Sequence, residues 1–385
     1  MRGYDVGIIG AGVHGAAAAF HLANRGIKAV VFERRTPAGG PTGRSSTICR
    51  AYYTNVFLAR VARESIEMLA DFETVTLGRH SGFYRTGFLF LHPPEDVAAL
   101  AEGTARLAEA GVSVELLDRT ELIERFPEVA LNGIEAGVWE PDAGYADPAG
   151  TTLGLLERAI ELGAEARMAG AVTRIELADG GGAYVQAADG AEIHCRRLLI
   201  AAGPWTGRLV SLVDVHLPLT IERHVVATGG WGSAPPMPYG HADLVAGYYC
   251  RPEGHNLFLL GSLHSAATAD PDRFKEQIAD EEAAALFEAA MARVPALGGA
   301  EGRGGWASLY DVSPDWQPVI GEIAPDVFVD AGTSGHGFKL APALGRYVAD
   351  LVMGEGDPEL EQFHPRRFAE GHLLGAGYRS VRILG

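Results

Sequence analysis

The chain opens with short apolar runs separated by small-residue turns. Tyr4-Asp-Val-Gly-Ile-Ile9 is apolar and strand-length, a glycine-rich turn follows, and an apolar stretch leads to Lys28-Ala-Val-Val-Phe-Glu33. This order predicts strand, turn, helix and strand, with an acid closing the second strand. Residues 55–73 place apolar side chains at helical spacing and predict a helix. Gly87-Phe-Leu-Phe-Leu91 reads as a strand, Pro93-Pro94 opens another helix through the 100s, and Gly150 to Gly163 is helical. From 171 to 195 the texture changes to short alternating runs separated by Asp179-Gly-Gly-Gly182 and Asp189-Gly190, which predicts a small antiparallel meander. Arg197-Leu-Leu-Ile-Ala-Ala-Gly-Pro-Trp205 returns to a buried-strand pattern. Strand-like segments over 219–261, broken by Ala234-Pro-Pro-Met-Pro238, predict a second sheet, and a long helix is expected at about 271–293. Val327-Phe-Val-Asp-Ala331 is a buried strand that runs into Gly332-Thr-Ser-Gly-His-Gly-Phe-Lys339 and a helix through Met353. There is no internal repeat.

The first turn carries chemistry. Gly10, Gly12 and Gly15 fit G-x-G-x-x-G, in which one glycine turns tightly, one admits a pyrophosphate to the backbone, and one lets helix pack on strand. The helix starting near Gly12 directs its N–H groups and positive dipole end at phosphates. Glu33 stands about 20 residues beyond the glycines, where a carboxylate accepts hydrogen bonds from an adenosine ribose. The dinucleotide-like elements fall at the start, near 200 and near 330, with sheet-rich segments between them. The predicted fold class is therefore α/β, a nucleotide domain interrupted by inserted pieces of a second domain, an arrangement more typical of flavoproteins than of nicotinamide dehydrogenases.

Composition narrows the setting. With 385 residues, 47% of them hydrophobic, the chain can bury a large core shared between two domains. A formal charge of −17 argues against nucleic acid and anionic membranes as partners. Cys49, Cys195 and Cys250 are odd in number and form no C-x-x-C, so neither a disulfide framework nor a metal site is expected. Met1 stands directly before the first predicted strand, leaving no room for a removable signal segment, and no apolar run approaches the ~20 residues of a membrane span. The expectation is a soluble cytoplasmic protein.

At Gly10-Ala-Gly-Val-His-Gly15, Glu33, Thr42-Gly-Arg-Ser-Ser46, Ala201-Ala-Gly-Pro-Trp205 and Gly332–Lys339, the chain resembles the FAD-dependent D-amino-acid oxidase superfamily, in particular its sarcosine oxidase and glycine oxidase-like branch. The likeness covers nearly the whole chain. It implies a Rossmann-type, glutathione-reductase-like FAD-binding domain over 1–80, 137–218 and 304–385, interrupted by a mixed β-sheet substrate domain over 81–136 and 219–303. It implies that FAD is held by Gly10, Ala11, Gly12, Val13, His14 and Gly15, by Glu33 and Arg34, and by Gly43, Arg44, Ser45 and Ser46. Val172, Ala202, Gly203 and Trp205 join them, as do Gly335, His336, Gly337, Phe338 and Lys339. The 332–339 turn begins a helix, whose positive end would stabilise the negative charge that reduction places on the flavin.

By the same resemblance, Arg50 and Lys339 bind a substrate carboxylate on one face of the flavin, and Tyr310, Tyr53 and His264 are orienting groups. Three positions depart from sarcosine oxidases. Thr47 replaces a second arginine, Ser308 replaces a cysteine that tethers FAD, and Leu259 in Leu259-Leu260-Gly261 replaces a lysine that assists oxygen. Non-covalent FAD and slow use of oxygen follow as expectations.

No second G-x-G-x-x-G holds a nicotinamide nucleotide, so the substrate itself is expected to reduce the flavin. The implied reaction oxidises the C–N bond of a small amino acid or secondary amine to an imine by hydride transfer to flavin N5, with oxygen or another electron acceptor taking the electrons. A 2-hydroxy-acid dehydrogenase also suits a carboxylate clamp, and a non-catalytic flavin-carrying electron-transfer subunit is the alternative from another class. The sequence leaves the oligomeric state open.

Overall fold

The computed structural model describes residues 3–375. Met1, on which the expectation of no leader rests, and residues 376–385 at the end of the last expected segment lie outside the described residues. Two eight-stranded sheets and a three-stranded one organise the rest.

The first sheet is centred on Tyr4–Ile9, which pairs in parallel with Ala29–Phe32 on one side and Glu192–Ile200 on the other. Val327–Ala331 adds in parallel beyond Glu192–Ile200. The alternation of this sheet is full. Val6, Ile8, Val31 and Leu199 enter one core with the helices, whereas Ile9, Val30, Phe32, Leu198 and Ile200 enter another on the opposite face. A central strand buried on both faces is what a doubly covered parallel sheet requires. Helix Val13–Asn24 supplies four consecutive buried alanines, Ala16 to Ala19, and helix Gly337–Met353 packs against it. Their approach is close: a Cβ on Gly345 would stand 2.6 Å from that of Ala17. The expected meander is present as Val172–Leu177, Ala183–Ala187 and Glu192–Ile200, paired antiparallel. It covers the face of the sheet away from the helices.

The second sheet runs in the order Glu301–Val312, Thr220–Gly230, Leu257–Ser262, Tyr248–Glu253, Gly240–Asp243, Phe88–His92, Ala136–Glu140 and Glu115–Leu117. Its pairs are antiparallel except Gly240–Asp243 with Phe88–His92. Leu89, Leu91, Phe258 and Leu260 pack on one face with helix Asp280–Arg293, and Phe88, Phe90 and Tyr249 on the other face join the core of the first domain. The boundaries drawn at 136/137 and 303/304 fall inside strands of this sheet, which keeps its members through Glu140 and Val312.

One expected element is shorter than its pattern. The helix drawn at 271–293 begins only at Asp280, where Glu282 accepts from the Ala279 N–H at 2.8 Å. Residues 271–279 instead lie along the sheet, with the Ala307 N–H donating to the Glu276 carbonyl at 2.6 Å and Gln277 bridged to Trp306. Backbone pairing to a neighbouring strand wins over local helical texture here. Among the described residues, no helix is long and apolar enough to cross a membrane.

Candidate functional site

The carboxyl ends of the parallel strands open into a cleft of about 420 Å³. Its floor is the glycine turn. Gly10 has φ +110°, and a Cβ there would lie 2.4 Å from the Ala201 carbonyl oxygen; a Cβ on Gly15 would lie 1.9 Å from the Gly10 carbonyl oxygen. Neither position tolerates a side chain. Gly12 starts the first helix with no side-chain cap and no acid in its first turn. Gly12, Val13 and His14 line the cleft, and the Val13 N–H donates to Thr42 Oγ1 at 3.3 Å. Glu33 is aimed by the backbone, its two oxygens accepting from the Ala11 N–H at 3.0 Å and the Arg35 N–H at 2.8 Å.

Around this floor stand most of the expected residues. Val172, Ala202, Gly203 and Trp205 line the cleft near Glu33, and the Arg34 guanidinium stacks on the Trp205 ring at 3.8 Å. Arg44 and Ser45 line it as well, while Gly43 packs against the Ala38 carbonyl and Ser46 belongs to a neighbouring cavity. Ala11 and Gly15 shape the turn from behind. At the far end come Gly335, Gly337, Phe338 and Tyr310. Gly335 has φ +84°, and a Cβ there would strike the Tyr310 ring at 2.4 Å.

His14 ties the two helix starts together. Its Nδ1 meets Asp330 Oδ2 at 2.8 Å and its Nε2 meets the Gly337 carbonyl at 3.1 Å. Burial opposes a charge on this imidazole, yet Asp330 outweighs burial and raises its pKa above the usual histidine value. Asp330 Oδ1 is buried at the cleft and has no partner among the described residues. The helix from Gly337 has no side-chain cap and no acid in its first turn.

A smaller cavity of about 60 Å³ shares Ser45, Tyr249, Tyr310, Gly335 and Phe338 with the cleft. Arg50 and Lys339 line it, 5% and 7% exposed, opposite the apolar wall of Phe88, Phe90, Ala242, Leu244 and Leu263. The Lys339 ammonium is held well below the ordinary lysine range, by burial first and by Arg50 next, with Cys49 and Glu140 pulling the other way. Tyr53 lies under the Arg50 guanidinium at 4.5 Å and meets His336 Nδ1 through its hydroxyl at 3.3 Å, outside this cavity. His336 is buried behind the helix start and pushed well below the usual histidine range by burial and by the two cations, so it stands neutral.

His264 does not join them. It is exposed, its ring lies over Gly247, and it lines neither cavity, because the strand ends at Ser262 and Leu263 takes the inward position. Leu259 is 3% exposed and lines neither cavity; it lies opposite Arg251 on the adjacent strand. Ser308 does line the cleft, and Cys49, Cys195 and Cys250 are buried away from it.

A sequence profile of the DAO family, described as FAD dependent oxidoreductase, matches residues 5–351. The chain belongs to this family. Monomeric sarcosine oxidase of Streptomyces avermitilis is 28% identical over 397 residues, spanning 95% of this chain and 98% of that one. N-methyl-L-tryptophan oxidase of Salmonella heidelberg is 28% identical over 378 residues, spanning 95% and 100%. The solved structure of L-proline dehydrogenase from P. horikoshii shares the fold, with a TM-score of 0.87 at 24% identity over 97% of this chain and 100% of that one.

FAD is the cofactor of this DAO family, and the cleft fits it. Two helix starts whose N-cap residues supply no side-chain cap line the cleft where a pyrophosphate and the flavin edge would lie, and the orphaned Asp330 oxygen offers an acceptor to a hydroxyl. The glycine cradle keeps side chains out of the space a dinucleotide needs.

Two groups at the site were missed in the sequence. Glu140 ends the apolar run Ala136-Gly-Val-Trp and accepts from the Ala51 and Tyr52 N–H groups at 2.5 and 3.0 Å; burial pushes its carboxyl up to about 7 despite those amides and Arg50. His224 stacks on Tyr310 at 3.9 Å and meets Glu222 Oε2 at 3.0 Å. Both stand in strands that the sequence marks, Glu140 at the end of an apolar run and His224 within the segment 219–261.

Proposed function

We propose that this FAD-dependent oxidoreductase oxidises the C–N bond of a small amino acid or secondary amine to an imine, with the substrate carboxylate held by Arg50 and Lys339. FAD, when bound, supplies the hydride acceptor. The observation that carries the reading is the buried cation pair lining a small cavity that opens directly onto the cleft. Two cations in so dry a place favour an anion between them, and a bidentate guanidinium fixes a carboxylate in orientation as well as in place. The apolar wall takes the substrate's carbon side, excludes water and leaves the amine as the polar group on the cleft side. A carboxylate arriving beside Lys339 would favour its charged form against the burial and the Arg50 charge that lower its pKa. The Tyr53 ring lies under Arg50 while its hydroxyl meets neutral His336, the Tyr52 carbonyl accepts from Arg50, and Tyr310 lines both cavities. Glu33 would take the ribose of the cofactor, and the amides of residues 12–14 its phosphates.

The names of the relatives support this reading, since sarcosine and N-methyltryptophan are both amino acids with a secondary amine. With serine at 308 and no cysteine on the cleft, FAD is held without a covalent bond. Three free, buried cysteines suit a reducing compartment, and we place the protein in the cytoplasm. The electron acceptor is oxygen or a protein or dye partner.

An anaerobic screen of the yellow holoenzyme tests the assignment. Sarcosine, glycine, D- and L-proline and N-methyl amino acids are expected to bleach the flavin, and lactate is not. Bleaching by lactate alone would make the protein a 2-hydroxy-acid dehydrogenase. Bleaching by none, with an artificial reductant still accepted, would leave only an electron-carrying role.

A further inference from the structure

Residues 263–279, between the strand Leu257–Ser262 and the helix Asp280–Arg293, form a strap across the Glu33 end of the cleft. Pro271, Asp272, Phe274 and Glu276 line the cleft from this side. Both ends of the strap are held to the second sheet by backbone: the Ala269 N–H donates to Ile221, the Arg223 N–H to Ala267, and the Ala307 N–H to Glu276. Where the strap meets the first domain, the ties are side chains instead. Asp272 gathers three donors there. Trp205 Nε1 donates to it at 2.9 Å, Arg34 Nη1 at 3.0 Å, and the Arg208 guanidinium closely to its other oxygen. Asp270 takes the second nitrogen of Arg208 at 3.1 Å, and Glu276 pairs with Arg44 at 2.9 Å.

We propose that Asp272 is a cofactor-retaining residue, the tie that closes this strap over the Glu33 end of the cleft and must break before FAD leaves. Arg34, Trp205 and Arg208 all line the cleft that the strap covers, so the tie spans the opening itself. The chemistry is suited to a reversible closure. Each of these pairs is partly exposed, and such pairs singly contribute little. Here three donors converge on one carboxylate and are lost together when the strap lifts, so their contributions fall on a single opening step. The strap's backbone anchors lie at its ends, which leaves its middle free to lift without unpairing the sheet. This inference concerns cofactor retention and does not depend on which substrate is oxidised.

Release of FAD from diluted holoenzyme, followed by the rise in flavin fluorescence, tests it. Asp272→Asn should release FAD about tenfold faster at low salt, the effect of losing a charged network rather than one pair. Trp205→Phe, which keeps an aromatic ring under Arg34 but removes the indole N–H along with the five-membered ring, should speed release about two- to threefold. Raising NaCl to ~1 M should speed release from the parent and change Asp272→Asn little, since salt screens the tie that the variant lacks. Glu361→Gln, which breaks the exposed pair with Arg366 away from the cleft, is the control and should match the parent. The proposal is overturned if Asp272→Asn and Trp205→Phe both release FAD at the parent rate, or if Glu361→Gln speeds release as much as they do. It is also overturned if the parent's flavin stays with acid-precipitated protein, because a covalent bond would then do the retaining.

Discussion

At the Glu33 end of the cleft the charged groups are partly exposed and paired. Arg34 and Asp272 are 28% and 39% exposed at their side chains, and two cations, Arg34 and Arg208, share two neighbouring aspartates. At the Lys339 end two basic side chains, Arg50 and Lys339, are buried near the carboxylate Glu140, which also accepts from the Ala51 and Tyr52 amides. The first arrangement is complete without a ligand and is screened by water and salt. The second gathers basic groups in a dry cavity, where Arg50 donates to the Tyr52 carbonyl and, under the proposed function, a substrate carboxylate would add its charge. Under the readings proposed above, one end would hold and release a cofactor and the other would select the substrate.

The glycine turn joins the two ends, and breaking it has the largest expected effect. Gly15→Val should abolish FAD retention and lower stability by about 3 kcal/mol or more, because its side chain would press into the Gly10 carbonyl. Flavin content on purification and thermal unfolding of the apoprotein read the two effects. A yellow variant of parental stability would show that the turn opens freely.

At the buried end, Arg50→Ala and Lys339→Ala should each leave FAD bound and cost roughly 30- to 150-fold in kcat/KM for amino acids, the loss of one charged partner from a dry site. Amines without a carboxylate should be affected far less. Equal losses for both substrate types would mean that the pair does not read the carboxylate.

Glu140 sharpens the contrast through pH. Its folded-state pKa of about 7 lies above that of an unfolded glutamate, ~4.3, so the folded protein holds an extra proton between these values. Its contribution to stability is therefore full below the unfolded pKa and is lost as pH rises toward 7. Asp311, pushed up to about 6 by burial, acts in the same direction. Denaturant titrations at pH 5 and 7.5 should show the parent losing on the order of 2 kcal/mol more than Glu140→Gln. The same pH slope in both proteins would remove Glu140 from the account.

The smallest effect is expected at Leu259. Its side chain lines neither cavity and faces Arg251 across the strand pair. Leu259→Lys should therefore change flavin reoxidation by oxygen less than about threefold, with ~1–3 kcal/mol of lost stability from burying a second cation there. Stopped-flow mixing with oxygenated buffer decides it. A tenfold acceleration would show that a lysine from this strand reaches the flavin.

How much of this was legible differs between the two ends for a physical reason. Gly10, Gly12, Gly15 and Glu33 act through backbone geometry within one strand–turn–helix–strand unit, so their spacing along the chain already fixes their spacing in space. Arg50 and Lys339 lie on elements far apart in the chain, and only the resemblance to a family linked them. His264 illustrates the limit: its place in the sequence suggested the site, yet a strand that ends two residues earlier turns it to solvent.

The sequence by itself determined the nucleotide-binding unit and the α/β fold class, because local periodicity and glycine spacing carry that information, and its motifs carried the resemblance to the family. Tertiary structure alone decided that Glu140 accepts from the Ala51 and Tyr52 amides next to Arg50, that His224 stacks on Tyr310, and that Asp272 on an expected helix instead meets Trp205 across the cleft. Each of these depends on strand register and on which face of a second sheet turns inward. Register is set by pairing between segments distant in the chain, and no pattern within either segment encodes it.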